Sequence, residues 1–147
     1  MRSFKMHWLV SWLLVGGLLT VSSCKEDLSP EEEFLKKLSG TWTASAVGVT
    51  LDGVAVNGVF GGFSITIEGN GNFTTQNGND PIWPATGTLT AIPASTAGSF
   101  DFRRNDGVEI AVSQTADNNI TLSFQYTSPS GRVSSVSGNY AFDLDRN

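Results

Sequence analysis

Few residues in this chain could carry out catalysis, because the side chains that enzymes use most are nearly absent. His7 is the only histidine and Cys24 the only cysteine among 147 residues. A nucleophile paired with a histidine base and a zinc site of nitrogen and sulfur ligands both need more of these residues. We therefore predict no catalytic residue, no metal site, no cofactor and no enzymatic activity.

Carboxylates are the remaining candidates for chemistry. Asp101, Glu109 and Glu68 could supply a pair of acids for glycoside hydrolysis. Each of them alternates with apolar neighbours, however, which places it on the solvent side of a strand. The Asn-, Asp- and Gly-rich turns do not match a calcium-binding loop. The basic doublet Arg103-Arg104 is expected to pair with nearby acids rather than to form a binding patch.

The first part of the chain has the layout of a secretory signal. Arg2 and Lys5 precede an apolar run over residues 8–19, and that run is too short for a typical membrane-spanning helix. It ends near Val21-Ser22-Ser23-Cys24, which resembles the lipobox of bacterial lipoproteins. The resemblance implies cleavage before Cys24 and attachment of lipid to its thiol.

This resemblance divides the chain into a lipoprotein signal peptide (1–23), a lipidated tether (24–28) and one domain (29–147). Within the tether, Lys25-Glu26-Asp27 resembles the export signal of Bacteroidota surface lipoproteins; a merely solvated tether is the alternative. The implied location is the outer membrane, with the protein held by its lipid and facing the cell surface. The inner leaflet of the outer membrane is the other possibility.

The composition after residue 23 argues against some partners. This part contains 124 residues, enough for one domain, with seven basic and fourteen acidic side chains and so a net charge of −7. An acidic chain repels phosphate backbones. Nucleic acids and anionic lipid head groups are therefore disfavoured as partners.

A short helix is predicted at the start of the domain. Ser29 is a suitable N-cap, Pro30 fits the first turn, and the acids at 31–33 suit the positive end of a helix dipole. One apolar stripe faces the domain, and Gly40 is positioned to end the helix. The stripe consists of Phe34, Leu35 and Leu38.

From Gly40 onward, apolar residues alternate with polar ones, and Asn/Asp/Gly turns separate the runs. This pattern predicts an all-β, antiparallel, up-and-down barrel of eight or nine strands, with a sandwich as the alternative. The predicted strands lie near 41–51, 54–60, 62–68, 72–76, 86–92, 99–104, 108–115, 119–127 and 132–144.

The motif Gly40-Thr41-Trp42, at the first strand and after a short helix, resembles the lipocalins. Further features are similar to lipocalin-like lipoproteins of the same surface-lipoprotein bacteria; they are the segments 83–88, 105–108 and 138–142. The resemblance implies that Trp42 closes one end of the barrel beneath an arginine. Arg132 and Arg146 are available, and we assign the role to Arg132. The chain is shorter than a full lipocalin and lacks the disulfide that is common in secreted relatives.

Candidate ligand contacts are aromatic. Trp83 lies in a proline-rich segment that is expected to form a loop at the barrel mouth. There its side chain could stack on a sugar, cap an apolar ligand or simply fold over the opening as a lid. Other inward aromatics could either line a cavity or fill it. They are Phe63, Phe73, Phe100, Phe102, Phe124 and Tyr126.

Two functions remain open at this point. In the first, the protein is an accessory interaction subunit that uses its acidic wall or open end against an outer-membrane protein partner. In the second, it is a binding module for a small apolar ligand or a glycan end. We favour the first, because a short barrel rich in phenylalanine has little spare volume.

Overall fold

A computed structural model describes residues 27–128 and 136–147. The signal peptide, the lipobox, Cys24, Lys25 and Glu26 lie outside these residues, as does Arg132. In the described part, helix α1 (Pro30–Leu38) begins with a complete capping box. The Ser29 hydroxyl accepts from the backbone N–H of Glu32, and the Glu32 carboxylate accepts from that of Ser29. The predicted helix is thus confirmed.

Nine strands follow in the described residues, and all neighbouring pairs are antiparallel. They are β1 (Gly40–Leu51), β2 (Val54–Ala55), β3 (Ser64–Ile67), β4 (Asn72–Gln76), β5 (Thr86–Pro93), β6 (Phe100–Arg104), β7 (Glu109–Ala116), β8 (Asn119–Tyr126) and β9 (Gly138–Arg146). Pairing of β1 with β9 closes β1 and β3 to β9 into an eight-stranded up-and-down barrel. The predicted fold class is confirmed, with β2 as one extra strand on the edge of β1.

One predicted strand is much shorter than expected. The stretch 54–60 contains only the two residues of β2, because the chain then curls into turns. The backbone N–H of Val59 donates to the carbonyl of Val56, and that of Phe63 donates to Phe60. These turns carry the Phe60 side chain into the core, where it is 3% exposed. Consequently β1 pairs directly with β3.

Alternation along the strands sends one set of side chains into the barrel. Trp42, Phe63, Phe102 and Phe142 are fully buried there, and together with the other buried apolar residues they form one core cluster. Helix α1 covers one end of the barrel through Leu38. Since the helix, strands and core of the described residues all follow residue 28, a chain that begins at Lys25 retains every one of these elements. No helix in the described ranges has the length and apolar character needed to cross a bilayer.

The pairing ladder between β6 and β7 is the shortest in the barrel. These strands are joined by only two registered pairs, Phe102 with Ile110 and Arg103 with Glu109. Every other pair of neighbouring barrel strands has at least three. The barrel wall therefore has a seam at this position.

Candidate functional site

Trp42 closes the helix end of the barrel. Its indole N–H donates to the carbonyl of Leu38, the last residue of α1, at 2.9 Å. The guanidinium carbon of Arg146 lies 4.5 Å from the centre of the indole, and Arg146 also donates to the carbonyl of Lys37. Gly40 joins helix to strand with φ of +135°, a conformation that favours glycine. Arg146 thus occupies the position for which we chose Arg132, which the described residues do not include.

Trp83 lies inside the barrel. The loop prediction is correct, since residues 77–85 contain no strand, but the side chain points inward and is 1% exposed. Gly78 allows this close packing, because a Cβ there would meet the Trp83 carbonyl oxygen. The indole packs among four phenylalanine rings with centroid distances of 5.2–6.0 Å. They are Phe63, Phe73, Phe124 and Phe142.

A buried arginine completes this interior cluster. The Arg104 guanidinium lies 5.3 Å from the Trp83 ring centre and 5.7 Å from that of Phe124. Its Nη1 donates to the Ile82 carbonyl at 2.8 Å, and its Nε and Nη2 donate to both carboxylate oxygens of Asp106 at 2.9 and 2.7 Å. Arg104 therefore ties the loop before Trp83 to the β6–β7 turn.

Sequence reasoning missed the burial of Arg104. Both arginines of the doublet pair with acids as predicted, Arg103 with Glu109 and Arg104 with Asp106. Only Arg104 is buried, at 1% exposure. The signal was present in the alternation, because Arg104 is in phase with the inward Phe102. Because arginine is charged, we did not expect this position to be buried.

Electrostatics tighten the Arg104–Asp106 pair. Hydrogen bonds from the Arg104 side chain hold the pKa of Asp106 below its ordinary value of 3.8, against an opposing effect of burial. The Asp106 side chain is 44% exposed, whereas that of Arg104 is 0% exposed. The ion pair therefore links a buried guanidinium to a carboxylate that is partly in contact with solvent.

The two indoles differ in hydrogen bonding. The N–H of Trp42 is satisfied by the Leu38 carbonyl, whereas the buried N–H of Trp83 has no hydrogen-bond partner among the described residues. A buried donor without a partner costs about 1–3 kcal/mol. Apolar packing, rather than a polar contact, therefore holds the Trp83 side chain inside.

Most of the predicted inward aromatics are buried and belong to one hydrophobic core cluster. Phe63, Phe73, Phe102, Phe124 and Tyr126 are each at most 7% exposed. The rings of Phe63 and Phe142 are 4.7 Å apart, and Phe124 stacks on Phe142 at 5.8 Å. The side chains that could have lined a cavity are instead part of this packed cluster. Phe100 differs, since it is half-buried against Phe34 of α1.

Space for a ligand is found at the helix end of the barrel and beside one loop. A groove of about 430 Å³ lies between α1 and the seam of β6 and β7. A smaller pocket of about 220 Å³ borders the β4–β5 loop, from Thr75 to Ala85.

Each of the three candidate carboxylates is engaged by a different group of the protein. Asp101 accepts the backbone N–H of Val112, Glu109 binds Arg103, and Glu68 accepts from the side chain of Asn72. Over residues 27–128 and 136–147, no three His, Cys, Asp or Glu side chains converge as metal ligands would.

The outer surface of the barrel has two different walls. On β9, Asp143 and Asp145 are exposed and accept hydrogen bonds from Thr121 and Asn119 of β8. The outward side chains of β3, β4 and β5 carry no charge. These are Ser64, Thr66, Asn72, Thr74, Gln76, Thr86, Thr88 and Thr90. We call the first the acidic wall and the second the neutral wall.

Comparison with known proteins finds no matching family model, no similar curated protein and no similar solved structure. Function is therefore inferred from the sequence motifs and the geometry above.

Proposed function

We propose that this protein is a non-enzymatic, lipid-anchored lipoprotein of the outer membrane that acts as an accessory interaction subunit of a cell-envelope complex. The observation that carries this proposal is the packed interior. Trp83 contacts Phe63, Phe124 and Phe142 where a lipocalin-like barrel would hold its ligand. The interior is occupied by the protein's own side chains, so the outer surface has to provide the binding energy.

The position of the helix supports anchoring at one end. Cys24 precedes the N-cap Ser29 by only five residues, which span at most about 18 Å when extended. The helix that follows covers the Trp42 end of the barrel. A lipid on Cys24 would therefore hold that end near the bilayer and leave the walls accessible to a neighbouring protein.

We place the partner on the acidic wall. Asp143 and Asp145 lie on one exposed face of β9, held by hydrogen bonds from the neighbouring strand. Fixed carboxylates attract a basic surface and favour its rapid docking. The neutral wall offers no such charge. The expected partner is thus an outer-membrane protein with a basic patch.

Anchoring is tested by Cys24→Ala in cells. Loss of metabolic lipid labelling, with release of the protein from the membrane fraction, is expected. Unchanged labelling and membrane retention would contradict the anchor. Protease access to a C-terminal tag on intact cells reports whether the domain faces the surface.

The partner is tested by photocrosslinking in intact cells, using the full chain with a photoreactive residue at Asp143. The matched control carries the same residue at Thr88 on the neutral wall. A discrete crosslinked protein from position 143 alone is expected, and Asp145→Lys should abolish it. Absence of a crosslink at position 143, or equal crosslinking at both positions, would refute the assigned surface.

A second function, binding of a small apolar ligand or a glycan end, is supported by the resemblance to lipocalins and by the groove of about 430 Å³ at the helix end of the barrel. The packing around Trp83 argues that such a ligand would bind at this end and not among the interior aromatic rings.

A further inference from the structure

Asparagine followed by glycine occurs three times in the domain, each time outside a strand. The pairs are Asn57-Gly58, Asn70-Gly71 and Asn77-Gly78. Asparagine is thermolabile, and before glycine it can react within its own chain, because no Cβ hinders attack of the glycine backbone nitrogen on the side-chain carbonyl carbon. The reaction needs an asparagine side chain that can rotate and a glycine N–H that is free. The three positions differ in both respects.

At Asn70 both reacting groups are fixed. The Asn70 side-chain oxygen accepts the backbone N–H of Asn72 at 2.9 Å, and the Gly71 N–H donates to the Glu68 carbonyl at 2.9 Å. Gly71 is also buried, and a Cβ there would meet the Leu89 carbonyl oxygen. The asparagine carbonyl carbon and the glycine nitrogen therefore cannot approach each other without breaking two hydrogen bonds.

Asn77 is fixed through its side-chain amide. Its Nδ2 donates to the carbonyls of Gly61 and Gly62 at 3.0 and 3.2 Å, and these bonds join the loop after β4 to the loop between β2 and β3. Gly78 is buried against the Trp83 carbonyl oxygen, which a Cβ would meet. Rotation of the Asn77 side chain towards the Gly78 nitrogen would break both hydrogen bonds.

Asn57 has none of these restraints. Of the three asparagine side chains, only the other two form hydrogen bonds within the described residues. Gly58 is exposed, its N–H donates to no backbone carbonyl in the part of the chain that the structure describes, and a Cβ placed on it would meet nothing within 4 Å. The two reacting groups are therefore free to meet.

We propose that Asn57 is a site of spontaneous deamidation in the folded protein, whereas Asn70 and Asn77 are protected by their contacts. The Gly58 nitrogen gives up its proton to solvent and bonds to the Asn57 Cγ, the Cγ–Nδ2 bond breaks, and ammonia leaves. Water then opens the resulting cyclic imide at either carbonyl carbon. The products are aspartate and isoaspartate, and in isoaspartate the main chain is longer by a methylene group.

The modification changes the segment that carries Phe60 into the core. The turn over 56–59 is closed by a hydrogen bond from the Val59 N–H to the Val56 carbonyl. It leads directly to Phe60, whose ring centre lies 5.2 Å from that of Phe142. Both products add a negative charge, and isoaspartate also lengthens the turn. We expect the longer turn to lose its closing hydrogen bond and to release Phe60 from the core.

The test incubates the full chain, purified in a mild detergent, in alkaline buffer and samples it over weeks. Chymotrypsin digestion of the denatured samples separates the three asparagines, because aromatic residues lie between them. Mass spectrometry should show deamidation at Asn57 at least about tenfold faster than at Asn70 or Asn77, each of which must first break two hydrogen bonds. In urea the three rates should become similar. Equal rates in the folded protein, or the same selectivity in urea, would overturn the proposal.

Two variants test the nucleophile and the product. Gly58→Ala, for which the structure has room, should slow deamidation at Asn57 and leave the other two sites unchanged; an unchanged rate at Asn57 would refute attack by the Gly58 nitrogen. Asn57→Asp carries the charge of the product on a main chain of normal length and is the matched control for isoaspartate.

Limited chymotrypsin digestion of the folded protein reports on Phe60. Aged protein that contains isoaspartate should be cut after Phe60 faster than Asn57→Asp, and equal cleavage of the two would refute release of Phe60 by the longer turn. These measurements involve neither the lipid anchor nor a protein partner, so their failure is distinguishable from failure of the crosslinking experiment.

Discussion

Each of two buried tryptophans in this barrel lies against an arginine, and the two pairs are built differently. Trp42 is hydrogen-bonded to the helix, and the exposed Arg146 covers it from the rim. The Trp83 indole N–H has no partner in the described part of the chain, and its arginine, Arg104, is buried beside it and neutralised by Asp106. The first pair closes an end of the barrel, whereas the second fills its interior.

The difference shows where each pair derives its stability. The Trp42 pair depends on backbone carbonyls of α1, which a solvated guanidinium can reach at little cost. The Trp83 pair depends on packing and on a buried charge that needs every partner it has. Substitutions at equivalent positions of the two pairs should therefore have unequal effects.

The largest effect is expected for Trp83→Ala. Removing an indole in contact with four phenylalanines leaves a large cavity, so the free energy of unfolding should fall by about 3–5 kcal/mol. Urea denaturation of the protein beginning at Lys25 measures this loss, with Thr88→Ala on the neutral wall as the control. A loss below about 1 kcal/mol would mean that the interior is not packed around Trp83.

The next largest difference is expected between substitutions of the two arginines. Arg104→Met strands the Ile82 carbonyl, and we expect the free energy of unfolding to fall by about 1–3 kcal/mol. Arg146→Met removes an exposed cation–π contact worth about 0.5–1 kcal/mol. Chemical denaturation of both variants under one condition gives the comparison. Equal losses would contradict the distinction between a buried and a rim arginine.

Tryptophan-to-phenylalanine changes isolate the indole N–H. Both remove similar volume, but Trp42→Phe also breaks the bond to the Leu38 carbonyl, while Trp83→Phe removes a donor that had no partner. We expect Trp42→Phe to be the more destabilising by about 1 kcal/mol. Urea denaturation should therefore give a lower midpoint for Trp42→Phe than for Trp83→Phe. A lower midpoint for Trp83→Phe would show that the Trp83 N–H has a partner.

The smallest expected effect is on acid stability. The pKa of Asp106 is lower in the folded protein than its ordinary value of 3.8, so its pairing with Arg104 stabilises the fold above that value. This stability is lost as the pH falls through the folded pKa. Thermal melts between pH 6 and 2 should therefore show a smaller acid-induced decrease for Asp106→Asn than for the unchanged protein. Parallel curves would argue against this linkage.

Local patterns predicted the framework of this molecule well. Ser29 and Pro30 located the start of the helix, and alternation with Asn/Gly turns predicted the barrel strands, because these signals act over a few residues. The strand prediction for residues 54–60 was wrong because the turn at Val56 and the burial of Phe60 depend on tertiary contacts. The apolar run there suited a strand equally well.

The site was less predictable. Trp83 was correctly placed in a loop, but a proline-rich loop has no period that reveals whether its side chain points in or out. Arg104 was in phase with the core, yet charged residues are rarely buried without a specific partner. The groove between α1, β6 and β7 is lined by residues of three separate elements, so no single stretch of sequence predicts it.

The most direct test of a packed interior is NMR of the indole N–H groups in the protein beginning at Lys25. Of the four tryptophans, only Trp42 and Trp83 remain in it, and Trp83→Phe assigns the two signals. We predict that the Trp83 N–H exchanges slowly with solvent and shows NOEs to the rings of Phe63, Phe124 and Phe142. Rapid exchange without these NOEs would place Trp83 at an open mouth and contradict the packed barrel.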